Sequence, residues 1–198
     1  MVVARCSLGP TREFAQVAPT GSTAQPRPSR RTRSYDPLVR WDGPDGYFVS
    51  DDRALVEVAR VHHWLSEQSY WAEGRPYEVV ARSIEESLTL GLYRPDGEMA
   101  GLVRWVTDYS TFAWLCDVFV DPADRGHGRG SFLVATAASH PDVRDLRLQL
   151  LSTKDAHQLY RRFGFEASPT PERWMVRRPP RSGPESVATD VRPVEPPS

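Results

Sequence analysis

Three glycines, Gly126, Gly128 and Gly130, stand at alternate positions between an apolar run ending at Val120 and a helix-forming stretch from Ser131. Glycines so spaced allow a tight turn and let the backbone lie close to whatever binds beside it. A strand, a glycine-rich turn and a helix in that order point to an α/β fold. They also aim successive N–H groups and a helix N-terminus at one place, which makes an anion site suited to a pyrophosphate. Three phosphate-binding patterns compete for Arg125-Gly126-His127-Gly128-Arg129-Gly130-Ser131. A P-loop needs Gly-Lys-Ser/Thr, and Gly130-Ser131 has no lysine between them. The dinucleotide fingerprint needs G-x-G-x-x-G, whereas the spacing here is G-x-G-x-G after what reads as antiparallel hairpins. The third pattern, R/Q-x-x-G-x-G/A, is met by Arg125, Gly128 and Gly130. The glycines alone are equally compatible with a helix-starting turn that binds nothing.

The segments around the loop alternate between strand and helix patterns. Tyr47–Ser50 reads as a short strand, after which Asp51 or Asp52 caps a helix over Arg53–Leu65. A linker, Ser66–Pro76, leads to a second helix, Tyr77–Ser87. Leu88–Arg94 and Met99–Thr107 form a hairpin about Pro95-Asp96-Gly97-Glu98. Thr111–Val120 is the third strand of that meander. After the loop come a helix over Ser131–Ser139, a strand over Leu146–Leu151 and a helix over Asp155–Phe163. Phe165–Ala167 and Trp174–Arg177 are expected as closing strands. The expectation is one α/β domain, with a mixed, mostly antiparallel central sheet flanked by about four helices.

Composition sets the boundaries. Residues 1–42 are rich in Pro, Ser, Thr, Gly and Arg, with a net charge of +5 through Arg40. They show no apolar period and are expected to be a disordered tail. The basic cluster Ser29-Arg30-Arg31-Thr32-Arg33 could tether nucleic acid or an anionic surface. Solvated tail, or residues upstream of the true start, are the plainer readings. The stretch has the Arg-rich, acid-poor bias of a transit peptide without its amphipathic helix, and Met1 opens no signal-peptide apolar region. Residues 179–198 form a second Pro-rich tail. This leaves a domain at 43–178; residues 41–178 carry a net charge of −5. The whole chain of 198 residues has a net charge of −1, so no global basic field argues for nucleic acid. No apolar run reaches the ~18 residues of a membrane span. Two cysteines, Cys6 and Cys116, make neither a zinc pattern nor a disulfide scaffold, and no metal site is expected. A cytoplasmic, bacterial origin fits, with Lys154 the only lysine among many arginines, as a GC-rich genome would give.

A second motif completes the pattern. Lys154-Asp155-Ala156-His157-Gln158-Leu159-Tyr160-Arg161-Arg162-Phe163-Gly164-Phe165 carries A-x-x-L-Y-x-x-x-G-F, and Asp117 to Gly130 carry D-V-F-V-D-P-x-x-R-G-x-G-x-G. Together and in this order they resemble the GNAT superfamily of acyl-CoA-dependent N-acetyltransferases, over most of 47–178. The resemblance implies acetyl-CoA as co-substrate and a primary amine, of a small molecule or peptide, as acceptor. It implies a pantetheine arm pairing with the backbone of Val118, Phe119 and Val120 where their strand splays from Leu146–Leu151. It places the pyrophosphate on Arg125, Gly126, His127, Gly128, Arg129, Gly130 and Ser131, and an oxyanion on backbone N–H near Val118. Tyr160 matches the tyrosine that protonates the departing thiolate; a packing aromatic is the other reading. One departure is Thr153, where many members have Asn. Thr can still bond a cofactor or water, with fewer donors.

Direct attack needs a base for the amine proton. Asp117 is the candidate beside the acyl site, and a structural carboxylate explains it as well. Glu67, Glu73 and Asp108 are the alternatives. Tyr70 and Trp71 in the first inter-helix linker are candidates for the acceptor pocket; a plain connecting loop with its aromatics tucked into the core explains them as well. Cys116, Trp105, Trp114 and Trp174 read as core, and His62 and His63 point apart on a helix. The second functional reading is a non-catalytic GNAT-like module that binds acyl-CoA or a partner. Acceptor, acyl length and oligomeric state, including a homodimer, stay open.

Overall fold

The computed structural model describes residues 39–177. The hairpin at Pro95–Gly97 organises the sheet. Gly97 supplies the positive φ (89°) that the turn requires. On either side of it β3 (Leu88–Tyr93) and β4 (Met99–Thr107) pair antiparallel. Every residue of β3 is buried, because both faces of the sheet are covered. β1 (Arg40–Asp42), β2 (Phe48–Ser50), β5 (Phe112–Val120) and β6 (Leu148–Leu151) complete a six-stranded sheet in the order β1-β2-β3-β4-β5-β6. Only β5 and β6 run parallel.

Helices cover the two faces. α1 (Val58–Gln68) and α2 (Tyr77–Glu85) bury Val61, Trp64, Leu65, Val80 and Ile84 against Met99, Leu102 and Phe119. α3 (Arg129–Ser139) buries Leu133 and Ala137 against Leu90, Val103, Trp105 and Leu115 on the other face. α4 (His157–Arg161) is one short helix, through which Tyr160 joins that second core. The architecture is the expected mixed, mostly antiparallel sheet with four helices. Among the described residues no helix is long and apolar enough to cross a membrane.

Four expectations change. Arg40–Asp42, expected in the disordered tail, pair with β2, and Trp41 packs 5.5 Å from the ring of His140. The intervening turn needs Gly43, because a Cβ there would lie 2.4 Å from the Phe132 ring. Residues 1–38 of the expected tail, and all of 179–198, lie outside the described residues. Asp52 does cap a turn, accepting from Ala54 N–H at 2.9 Å, but that turn ends at Leu55 and α1 starts afresh at Val58. Phe165–Ala167 and Trp174–Arg177 are not strands; a short 3-10 turn, Pro171–Arg173, lies between them. Pro169 and Pro171 offer no N–H to a ladder there. Finally, Trp114 and Trp174 are exposed rather than core, whereas Trp105 is fully buried.

β5 carries an irregularity that shapes everything beside it. Leu102 pairs with Phe119 and Arg104 with Cys116, so Val103 alone faces both Asp117 and Val118. Asp117 absorbs this bulge with φ of 49°.

Candidate active site

β5 and β6 pair from Phe112↔Leu148 to Leu115↔Leu151 and then part, because β6 stops while β5 runs on to Val120. A cleft of about 680 Å³ fills the opening. The bulged half of β5, Cys116 to Val120, forms one wall; Ser152, Thr153, Ala156, Leu159 and Tyr160 form the other.

The glycine-rich loop closes one end, and the fold fixes it firmly. Asp121 caps a turn by accepting from Ala123 N–H at 3.0 Å. Asp124 is buried and accepts from the Tyr47 hydroxyl at 2.5 Å and from Arg94 Nη2 at 2.7 Å. Burial pushes the Asp124 carboxyl up, but the Arg94 and Tyr47 hydrogen bonds outweigh it and hold the group below the usual carboxylate range. Gly126 and Gly128 then take φ of 83° and 77°, and Gly128 caps α3 in the left-handed conformation. A Cβ at either would meet no neighbour within 4 Å, so backbone conformation rather than space demands glycine. The first N–H groups of α3, which have no intrahelical partners, belong to Arg129, Gly130 and Ser131 at this end of the cleft, and with the helix dipole such groups suit an anion.

Arg129 adds charge there. Its guanidinium lies 4.1 Å from the Tyr47 ring centroid and bonds Asp45 at 3.2 Å, while its Nε is buried without a hydrogen-bond partner. Arg125 instead turns back, its Nε donating to Val120 O at 2.8 Å. Arg125, Gly126, Gly128, Arg129, Gly130 and Ser131 all line the cleft. His127 does not; it is exposed, with Nδ1 2.8 Å from Arg125 O. That loop end fits a doubly charged phosphate group by its donors.

Asp117 lines the cleft, but its carboxylate is engaged. Oδ2 accepts from Arg104 Nη2 at 2.8 Å, Arg104 Nε at 3.0 Å and Arg75 Nη1 at 3.0 Å. Arg104 also donates to Ser83 O and Ser87 Oγ. The carboxylate thus ties the β5 bulge to β4, to α2 and to the α1–α2 loop. A proton reaching Oδ2 would have to displace guanidinium donors. Among the alternatives, Asp108 accepts the N–H groups of Ser110, Thr111 and Phe112 and caps the β4–β5 turn; these bonds, led by the Thr111 hydroxyl, hold its carboxyl well below the usual range. Glu67 pairs with His63 on α1 at 3.0 Å, and Glu73 lies in the α1–α2 loop. None of the three lines the cleft.

On the opposite wall Tyr160 is half-buried and packs edge-on to Phe165 at 6.1 Å. Burial first, then the nearby Tyr70 and Asp155, push its hydroxyl up to about 12. Thr153 Oγ1 accepts from Ala156 N–H at 3.0 Å and so starts α4. At the mouth Tyr70 and Trp71 pack edge to face, 5.0 Å apart, and both are exposed. The cleft therefore gathers every expected residue except His127 and the three alternative bases, Glu67, Glu73 and Asp108. It also includes Cys116, expected in the core, whose thiol burial pushes up, Leu159 of the A-x-x-L-Y motif, and Gln68 and Ser152, for which the sequence carries no separate signal.

Comparison with known proteins adds a family to the geometry. The pattern of the Acetyltransferase (GNAT) domain matches residues 86–167. A proposed acetyltransferase of Gibberella zeae is 30% identical over 142 residues, 61% of this chain and 79% of that protein. The crystal structure of a proposed GNAT-family acetyltransferase from Xanthomonas campestris pv. campestris is 39% identical, with a TM-score of 0.66 over 69% of this chain and 95% of the other. A proposed acetyltransferase from Deinococcus radiodurans R1 shares the fold at 20% identity, with a TM-score of 0.55 over 71% of this chain and 94% of that one.

Proposed function

The chain belongs to the GNAT acetyltransferase family, and from that premise we propose that it moves an acetyl group from acetyl-CoA to a primary amine by direct attack. The observation that carries this reading is the parting of β5 from β6 beyond Leu115 and Leu151, with the glycine-capped start of α3 at one end of the opening. The N–H groups of Arg129, Gly130 and Ser131, with the Arg129 guanidinium, hold the pyrophosphate. The pantetheine arm lies along Val118, Phe119 and Val120, as an added strand would. The bulge at Asp117 turns the backbone there, and the N–H near Val118 steadies the oxyanion of the tetrahedral intermediate.

Tyr160 protonates the leaving thiolate. Its raised value keeps the phenol in the donor form at neutral pH. Asp117 positions rather than abstracts, because its Oδ2 already takes three guanidinium hydrogen bonds. The amine proton leaves through water in the open mouth. Tyr70 and Trp71 present ring faces to the acceptor.

The test is a panel of primary amines incubated with acetyl-CoA and the full chain, with product followed by mass spectrometry. An acetylated amine formed with saturation in both substrates is expected. Tight binding of acetyl-CoA with no product across the panel would favour a binding module over an enzyme.

A further inference from the structure

The fold brings the chain's only lysine to the rim of the cleft. Lys154 is exposed, between Thr153 and Asp155, both of which line that cleft. Its Nζ lies 5.6 Å from the ring centroid of Tyr70, also a lining residue. A cation over an aromatic face at this range is attracted by the ring. The contact holds a long side chain across the acceptor mouth, from the β6–α4 turn to the α1–α2 loop. The basic groups that line the cleft itself, Arg125 and Arg129, are guanidiniums, which do not shed a proton to become acyl acceptors.

We propose that Lys154 is a self-acetylation site, taking its acetyl group from acetyl-CoA bound in the cleft of the same molecule. This rests on the acetyl-CoA reading above. The Lys154 ammonium first gives one proton to water. The nitrogen lone pair then attacks the thioester carbonyl carbon; the C–N bond forms and the C–S bond breaks. The sulfur leaves with that electron pair and takes up the second proton lost by nitrogen, so CoA departs as the thiol. The product amide is neutral, so the attraction to the Tyr70 ring is lost and the α1–α2 loop is released from the start of α4.

The experiment incubates the full chain with acetyl-CoA alone and follows intact mass and the peptide that carries residue 154. One acetyl group on Lys154 is expected, and none at that site in Lys154→Arg. Transfer within one molecule keeps the same first-order rate over a ~10-fold dilution of protein. Tyr160→Phe should slow it by ~10-fold or more, since general acid help is lost. An unmodified Lys154, a rate that falls with dilution, or equal modification of the heat-unfolded chain would each overturn the proposal. Melting temperature with CoA is read in parallel on wild type and Lys154→Arg. A shift without acetylation removes the Lys154 proposal alone; no shift with either CoA or acetyl-CoA removes it together with the reading beneath it.

Discussion

Leu115 and Leu151 form the last rung between β5 and β6. Past them the parallel ladder stops while β5 continues for five residues to Val120. That stretch, paired with β4 on one side and free of β6 on the other, is where Asp117 bulges and where the backbone is open to a ligand. Strand pairing, loop anchoring and the mouth of the cleft all meet at this fork, and each can be perturbed separately.

Asp117 is expected to matter to folding more than to proton transfer. Asp117→Ala leaves Arg75 and Arg104 facing each other without the carboxylate between them. Removing one partner of a buried ion pair costs about 3–5 kcal/mol. Denaturant unfolding checks this; a loss below about 1 kcal/mol, with turnover abolished, would return Asp117 to the role of base.

The anchoring of the loop gives the protein an acid-sensitive point. The folded value of Asp124 lies below its unfolded one. Its stabilisation is therefore fully present above the ordinary aspartate range near ~3.9 and is lost as pH falls through the lower folded value. Asp124→Asn should be less stable at neutral pH and should show a flatter decline in acid. Parallel acid limbs for the two proteins, followed by circular dichroism, would contradict the assignment.

Gly128 is held to a left-handed conformation at the start of α3. Gly128→Ala should cost roughly 1–2 kcal/mol. It should also weaken acetyl-CoA binding, because the first N–H groups of the helix turn with it. Titration calorimetry on wild type and variant reads the second effect, and unchanged affinity would separate the loop from the pyrophosphate.

Tyr160 should stay a proton donor across the working range, its hydroxyl being pushed up to about 12. Turnover should then show no descending limb from this group below about pH 11, a pH unit short of that value. Tyr160→Phe should lower kcat by about 10²-fold, at the low end of general acid catalysis, and leave CoA affinity nearly intact. Equal kcat in the two proteins at every pH would take Tyr160 out of the chemistry.

Much of this was legible in the sequence where local signals agreed. Apolar runs and the Pro95–Gly97 turn define the β3–β4 hairpin, and alternate glycines after a strand mark the loop. The parts not legible depend on long-range geometry. Arg40–Asp42 become a strand only because β2 offers a ladder, so composition alone assigns them to the tail. Phe165–Ala167 has apolar residues but neighbouring prolines and no strand to join. Simple alternation along β5 cannot show the bulge that gives Asp117 a positive φ. Nor can it show that Arg104 and Arg75, 13 and 42 positions away, converge on one carboxylate oxygen.

The most direct test is the melting temperature of the purified chain with acetyl-CoA, CoA, ATP and NAD in turn. A ligand that binds only the folded state at 100-fold its Kd adds about 2.7 kcal/mol. For a domain of this size each kcal/mol moves the transition by roughly 2–8 °C. The structure predicts a rise of several degrees or more with acetyl-CoA and CoA, and none with NAD or ATP at matched concentration. No rise with either CoA species would mean that the opening beyond Leu115 and Leu151 does not bind the acyl donor.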